Sequence, residues 1–491
     1  MSLLSYILLV PVITLGALLF VPARSVGAIR WICALSGLVA CALSLELFWL
    51  YDSAAGTVQF EEIIPWVQGI GINYHVGVDG FSTVLILLNS LVYFTGVLTM
   101  WDLEKRVKEY FAFMVLLVIG VYGVFMSLDL FFFFFFYEIA VVPMYPLILI
   151  WGSGNKDYAA MKLMVFLLAG SALLFPGLLA IYHEAGLHSF DMVALAAHSF
   201  DPQFQVFCYP FIYLGFGVLA GMFPFHGWSP TGHVAAPSAV SMLHAGVLMK
   251  LGAFGVLAVG MRLLPDGAAY WAPTFAVLAA IGIIYGAFVA MRQSDFKFVI
   301  GFSSVSHMGV VLLGLNLAAL GTTAGADALN GAVFQMFAHG VMTALFFSTV
   351  GFIYDRAHSK TLADFGGLGS QMPRAVSIFI IAGLCGAGLP GLASFWPELL
   401  VFLAALNTYP IIGVAIIGGL VLTAIYILRV FALAFYGPPN PRWDGLREQD
   451  MRGFQLLPRA ILVAVLFFFG FYPNAMLNTI NQTTVALLGR F

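Results

Sequence analysis

Charged residues are scarce in this chain, and that shortage excludes most classes of soluble protein. Only 9% of its 491 residues are Asp, Glu, Lys or Arg, whereas 62% are hydrophobic. A soluble domain carries about a quarter charged residues. The apolar residues form continuous runs rather than an alternating pattern, which excludes a membrane β-barrel. The composition therefore predicts an all-α polytopic membrane protein.

Cysteines and cofactor motifs are also few, which limits the chemistry that the chain can perform alone. Its four cysteines lie singly in apolar runs, so neither a disulfide framework nor an iron–sulfur site is predicted. The sequence has no Walker loop, dinucleotide fingerprint or haem motif. No pair of histidines has ligand spacing backed by carboxylates, so no metal site is predicted. The net charge of −3 and the lack of a basic arm argue against nucleic acid as a partner.

Long apolar runs predict about fourteen transmembrane helices, because about 20 residues cross a bilayer. The first run is predicted to be a span rather than a cleavable signal. Of the 20 Lys and Arg residues, all but Arg262, Arg490 and Lys250 fall in alternate connections. The positive-inside rule then predicts both termini on the outer side. The predicted helices lie near 2–22, 28–50, 80–100, 110–128, 130–151, 160–183, 206–225, 236–262, 272–291, 296–315, 329–354, 374–406, 408–436 and 457–480.

Two landmarks recur at the same offset and predict an internal repeat. Asp129 and Asp295 each open a predicted helix, and they are 166 residues apart. Pro224 and Pro390 each interrupt a predicted helix, the seventh and the twelfth, at the same offset. Because a five-helix block is odd, the second copy must be inverted in the membrane. The predicted divisions are 1–109 with an outer loop that forms a short hairpin near 51–79, the repeats 110–262 and 272–436, and the C-terminal part 437–491.

Three ionisable residues lie within predicted spans, and they are the first candidates for function. They are Glu138, Lys250 and Glu398. An isolated charge in the hydrocarbon region costs several kcal/mol, so such residues commonly mark ion paths. The three are spread along the chain rather than paired locally, which favours proton transfer. The alternative is that they form buried ion pairs that only fix helix packing.

Histidines form a second candidate group, since histidine titrates near neutral pH. Serines next to His307 and Gln335 next to His339 favour a hydrated path for these two. His226 and His233 flank a short inner loop, and His244 enters the eighth span. These last three are possible accessory groups. An intramembrane histidine that only makes a packing hydrogen bond is the alternative for each.

Five motifs resemble the antiporter-like membrane subunits of respiratory complex I. The resemblance covers nearly the whole chain, and a glutamate at Glu398 is similar to the chain M branch of that family. The related chain L and Mrp-type antiporter subunits tend to carry lysine there. The motifs are Phe-Phe-Phe-Tyr-Glu138-Ile-Ala-Val-Val-Pro-Met, Pro-Phe-His226-Gly-Trp-Ser-Pro, Ala245-Gly-Val-Leu-Met-Lys250, Ser306-His-Met-Gly309 and Ala338-His-Gly340.

The resemblance implies a proton-translocating subunit of an NADH–quinone oxidoreductase, with Glu, Lys and His residues forming an axis half-way across the membrane. It implies no cofactor in this chain; NADH, FMN, iron–sulfur clusters and quinone belong to partner subunits. The implied partners are other membrane subunits, including related antiporter-like ones, in a bacterial-type inner membrane. The alternatives are the equivalent subunit of a membrane-bound hydrogenase or other-donor dehydrogenase, and a cation/proton antiporter subunit. Glu398 argues against the last.

Two positions depart from the family's pattern. The motif match places Leu219 where the family carries a seventh-helix lysine that pairs with the glutamate, and Thr231 where it usually has aspartate. Without that lysine, Glu138 is predicted to be protonated and bonded to neutral groups or water. No cationic side chain is predicted to touch it. The alternative is that Lys250, His226 or His244 has replaced the lost partner.

Overall fold

The computed structural model describes residues 2–491, and its helices follow the predicted order. Within these residues 13 helical segments are long and apolar enough to cross a membrane. The shorter pair α17 and α18 makes a fourteenth, interrupted crossing. The helices before the first break are α1 Leu3–Phe20, α2 Val26–Leu50, α3 Gly80–Thr99, α4 Val107–Met126, α5 Leu130–Val141, α6 Met144–Trp151, α7 Lys156–Ala185, α8 Met192–Ala197 and α9 Pro202–Ala220.

The seventh and twelfth crossings are discontinuous, as predicted. Helix α9 ends before a loop that contains Gly221 at φ +73° and Pro224. Helix α17 ends before a loop with Gly388 at φ +70°, Pro390 and Gly391 at φ +92°. Glycine tolerates these positive φ angles, and proline cannot donate a helical hydrogen bond. The later helices are α10 Trp228–Ala235, α11 Ser238–Leu243, α12 Met249–Gly255, α13 Pro265–Arg292, α14 Phe296–Ala318, α15 Gly325–Ala357, α16 Leu368–Gln371, α17 Pro373–Gly386, α18 Phe395–Thr408, α19 Pro410–Val430, α20 Leu457–Phe471 and α21 Asn474–Leu488.

The two five-helix repeats begin with the same joint. Asp129 accepts hydrogen bonds from the second and third backbone N–H groups after it, and Asp295 does the same at the start of α14. Each aspartate also forms an antiparallel bridge with a distant loop, at Asp191 and at Thr361. Five crossings lie between the joints, so they sit at opposite ends of the bundle and the second repeat is inverted. The division at 110–262 and 272–436 stays a prediction.

Matching glycines let the helices of each repeat approach closely. A Cβ on Gly120 would collide with backbone atoms of Phe136 and Ala140. The residue 166 positions later, Gly286, would collide in the same way with Phe302 and Ser306. All members of this second set lie 166 residues after those of the first. The repeat therefore extends to the packing between its first two helices.

Substituting Gly286 with alanine is expected to destabilise the fold. The new Cβ would lie 2.7 Å from the Ser306 backbone nitrogen and 3.0 Å from the Phe302 carbonyl oxygen. Overpacking of this kind costs about 1–3 kcal/mol, more than the gain of up to about 1 kcal/mol from removing a helical glycine. Gly418→Ala is the matched control, since nothing lies within 4 Å of its Cβ position. Thermal unfolding in detergent should show a lower midpoint for Gly286→Ala alone, and equal midpoints would contradict this packing.

The C-terminal crossing differs from its prediction. A single helix near 457–480 was expected, but α20 ends at Phe471 and α21 begins at Asn474. Pro473 lies between them and lacks the backbone N–H that a continuous helix would use. The predicted hairpin is confirmed: β1 Gln59–Val67 pairs antiparallel with β2 Ile72–Val78.

A buried histidine attaches this hairpin to the helical bundle. His75 lies with its Nε2 2.7 Å from Glu61 Oε1 and its Nδ1 3.5 Å from Asp191 Oδ1. Burial alone would lower the pKa of His75, but its hydrogen bonds to the two carboxylates outweigh that effect and raise it. Hydrogen bonding to His75 outweighs the burial of Asp191 and lowers the pKa of that carboxyl group. The geometry thus favours protonated His75 between two carboxylates.

Stability is therefore expected to depend on pH through His75. A raised pKa in the folded state stabilises the protein below the ordinary value of 6.5, and this contribution disappears as pH rises through the folded pKa. Because Glu61 is 46% exposed, the effect is discounted to about 1 kcal/mol. His75→Gln should lower the unfolding midpoint of the purified complex in acid but not in alkaline buffer. His183→Gln, an exposed site at the same end, is the control; a pH-independent loss in His75→Gln would contradict the assignment.

Candidate functional site

Lys250 occupies the centre of the bundle and contacts only neutral groups. It lies on α12, between two π-helical turns at His244–Leu248 and Val256–Met261. Its side chain is fully buried, its Nζ donates to the Ala245 carbonyl oxygen, and it lies 2.7 Å from His339 Nδ1. Among residues 2–491, no carboxylate lies within salt-bridge distance of it. Such π-helical turns occur often at functional sites.

From Lys250 the line of ionisable groups continues to Glu398. The rings of His339 and His307 are stacked, with centroids 5.2 Å apart and planes at 21°. His307 Nε2 lies 3.4 Å from Glu398 Oε1, and all four side chains are at least 95% buried. Gln335 Nε2 donates to the same oxygen at 3.1 Å. The predicted association of Lys250, His339, His307 and Glu398 is thus present, and we call these four residues the central line.

The twelfth-crossing break stabilises charge at the end of the central line. Glu398 lies in the first turn of α18, where the partial positive charge of a helix N-terminus favours a carboxylate. His307 Nε2 lies 3.1 Å from the carbonyl oxygen of Gly386, the last residue of α17, where the partial negative charge favours a cation. A continuous helix would bury both ends in its own hydrogen bonds. The break therefore supplies a polar setting for a proton shared by His307 and Glu398.

His307 is held so that acceptor groups surround both of its ring nitrogens. Its Nδ1 lies 2.8 Å from the Ser303 carbonyl oxygen, while its Nε2 faces Gly386 and Glu398. Ser303 is itself fixed by a hydrogen bond from Tyr426 Oη at 2.7 Å. An imidazolium with two N–H donors satisfies this arrangement, as does a neutral ring that accepts from a protonated Glu398. Both proton positions are compatible with the same geometry.

Glu138 lies apart from the central line. It is half-buried on α5, and Ser171 Oγ donates to its Oε1 at 2.5 Å. No cationic side chain lies within salt-bridge distance of it among residues 2–491. Leu219, the predicted replacement for a lysine, is fully buried. The predicted neutral contact of Glu138 is confirmed, while its protonation at rest stays a prediction.

The accessory histidines divide into two groups. His233 and His244 are fully buried with ring centroids 4.4 Å apart, and both have nitrogens without a protein partner. Lys250 acts electrostatically on His233, so this pair adjoins the central line. His226 lies instead beside Lys162 and stacks on Phe223. The structure thus joins two of the three to Lys250.

The helical order and the central line are matched by one family. The family model described as NADH:quinone oxidoreductase/Mrp antiporter, TM matches residues 127–425, more than half of the chain. The chain belongs to this family. The match includes both repeats' aspartate joints, both helix breaks and every residue of the central line.

Relatives of this family resemble the chain over nearly its whole length. NAD(P)H-quinone oxidoreductase chain 4 1 of Synechococcus sp. (strain JA-3-3Ab) is 35% identical over 471 residues, covering 93% of this chain and 88% of the relative. A chain of respiratory complex I from Thermus thermophilus superposes with a TM-score of 0.89 at 26% identity, covering 99% of this chain and all of that one. A chain of the Mrp complex from Dietzia sp. DQ12-45-1b shares the fold, with a TM-score of 0.85 at 21% identity over 100% and 98% of the two chains.

The second departure from the family's motif has a local explanation. Thr231 Oγ1 accepts a hydrogen bond from Lys162 Nζ at 3.2 Å and donates one to the Gly227 carbonyl oxygen at 3.0 Å. A neutral hydroxyl thus stands where the family usually has a carboxylate. The loop keeps its hydrogen bonds there, but Lys162 has no anionic partner among the described residues.

Sequence reasoning missed two buried cations. Lys297 and Arg459 were counted with the inner connections, yet they are only 4% and 3% exposed. Arg459 donates to the Ser348 and Gln455 carbonyl oxygens at 2.6 and 2.5 Å. Lys297 stands in the first turn of α14, where a cation opposes the helix dipole. That unfavourable position was the available signal that its amine is fixed by a tertiary contact.

Proposed function

We propose that this chain is a proton-translocating membrane subunit of a complex I-type NADH–quinone oxidoreductase. The observation that carries the proposal is the central line, a contiguous buried row of four titratable groups that ends at a broken helix. A buried charge in lipid would cost several kcal/mol without such partners. The name of the 35%-identical relative supports the oxidoreductase assignment.

Proton transfer along the central line needs only small movements. The ammonium group of Lys250 is placed to donate its proton to His339 Nδ1 across 2.7 Å. His339 Nε2 has no protein partner, so a water molecule there would carry the proton toward the stacked ring of His307. His307 then hands a proton to Glu398, from which it leaves beside the break in the twelfth crossing. Each transfer neutralises one group as it charges the next.

Energy for this movement would come from partner subunits. The proposal assigns NADH, FMN, iron–sulfur clusters and quinone to those partners and no cofactor to this chain. The chain would lie among related antiporter-like subunits in a bacterial inner membrane. Its basic connections would face inward and both termini outward, in accord with the positive-inside rule.

Co-purification combined with vesicle pumping tests the proposal. An affinity-tagged chain should bring down flavin- and iron–sulfur-containing subunits identifiable by mass spectrometry. Inside-out vesicles should then acidify when NADH is added. Recovery of hydrogenase subunits, with acidification driven by hydrogen instead, would favour the equivalent subunit of a different complex. Sodium/proton exchange without any electron donor would favour the antiporter alternative and overturn the proposal.

A further inference from the structure

A water-filled cavity opens at the basic end of the bundle and has no role in the central line. Its volume is about 1110 Å³, and the ends of α3 and α15, with the connection before α20, form its wall. The wall carries charges of both signs, including Asp102, Asp355, Glu448, Arg356 and Arg452. We call this cavity the vestibule.

Asp355 connects the vestibule to a buried lysine. Its carboxylate is exposed to the vestibule, and its charge acts on Lys297 of α14. Lys297 Nζ donates to the carbonyl oxygens of Ala236 and Val234 at 3.0 and 3.5 Å. Its amine therefore lies between the vestibule and the segment that joins α10 to α11.

That segment leads to Lys250 through His233. His233 directly precedes Val234, and both Lys297 and Lys250 act on it electrostatically. Its Nδ1 has no protein partner, nor does either ring nitrogen of His244 beside it. A buried polar atom without a hydrogen bond costs about 1–3 kcal/mol. Internal water is the partner that these nitrogens require, and a polar pocket of this kind holds it.

Glu138 offers no comparable connection. Among residues 2–491, no hydrogen bond or ion pair links it to Lys250, and Ser171 is its hydrogen-bond partner. The side chain that occupies the expected linking position on α9, Leu219, cannot carry a proton. A path that supplies Lys250 must therefore use other residues of this chain.

We propose that protons reach Lys250 from the vestibule through Asp355, Lys297 and His233. The inference rests on the proposed function and deepens it. Lys297 gives a proton through water to His233 Nδ1, and His233 passes one on to the neutral amine of Lys250. Asp355 takes a proton from vestibule water and returns it to Lys297. One proton enters and one leaves at each step, and no electrons move.

Replacement of Lys297 with methionine tests the middle of this path. In inside-out vesicles of the intact complex, Lys297→Met should lower protons pumped per electron at least about tenfold, since positioned proton carriers contribute at least that much. Lys360→Met removes the same charge at the same end, from a 3.6 Å pair with Asp295, and should pump normally. Equal pumping by the two variants would overturn the path. If Lys297→Met does not assemble, Asp355→Asn takes its place with the same expectation.

Chemical blockage tests the vestibule independently of Lys297. Thr99 lines the vestibule, and the four native cysteines are all buried. A charged, membrane-impermeant methanethiosulfonate applied to inside-out vesicles should stop pumping in Thr99→Cys. It should have no effect on wild type or on Ser377→Cys, an exposed site at the same end. Unchanged pumping in labelled Thr99→Cys would overturn the proposal.

These results separate the inference from the proposed function. Wild-type vesicles that fail to acidify with any electron donor would contradict the function itself. Normal wild-type pumping together with normal pumping by Lys297→Met and labelled Thr99→Cys would contradict only the path from the vestibule.

Discussion

Glu398→Gln is expected to abolish proton pumping while leaving the complex assembled. Glutamine has the same shape and can still accept the hydrogen bond that Gln335 donates at 3.1 Å, but it cannot exchange a proton. His307 would then face an amide 3.4 Å away and have no carrier to which it could pass its proton. Loss of a positioned proton carrier typically costs at least about a hundredfold in rate. Dye-quench measurements on inside-out vesicles would record the loss.

Assembly and electron transfer need to be measured in the same preparation. Native gels should show Glu398→Gln in a complex of normal size, since no packing volume changes. Glu109→Gln is the matched control, because Glu109 is 41% exposed and pairs only with Arg106 at 3.2 Å. It should pump like wild type. Normal pumping in Glu398→Gln would remove Glu398 from the mechanism.

Lys250→Ala should be nearly as severe, and more severe than Glu138→Gln. Lys250 is the only cationic partner of His339 Nδ1 among residues 2–491, so its removal cuts the central line at its start. We expect a loss of at least about a hundredfold. Glu138 touches only neutral Ser171 in the structure, so Glu138→Gln is expected to slow pumping by less.

The comparison between these variants decides how Glu138 functions. Lys250→Met keeps most of the side-chain volume and separates loss of the amine from loss of packing. If Glu138→Gln and Lys250→Met abolish pumping equally, Glu138 still exchanges protons and a route to it exists without the seventh-helix lysine. Protons counted per electron would distinguish a weaker pump from slower turnover of the whole complex.

Much of the candidate site was predictable because burial in lipid is a property of sequence. Glu138, Lys250 and Glu398 could be recognised as ionisable residues within apolar runs. The 166-residue offset between Asp129 and Asp295 predicted the inverted repeat, since a helix cap and its glycine contacts are local features that recur with the chain. Prolines marked both breaks for the same reason.

Tertiary structure decided which of these residues meet. Lys250 and His339 are 89 positions apart, and no periodicity in either helix specifies their 2.7 Å contact. Hydropathy located Lys297 at a helix end but could not tell that its amine turns inward to Ala236, since that depends on a neighbouring helix pair. The same limit applies to Ser171 beside Glu138. Hydrophobicity acts along each helix, so the sequence by itself determined the helices, their breaks and their orientation, whereas packing between helices decided the path that a proton can follow.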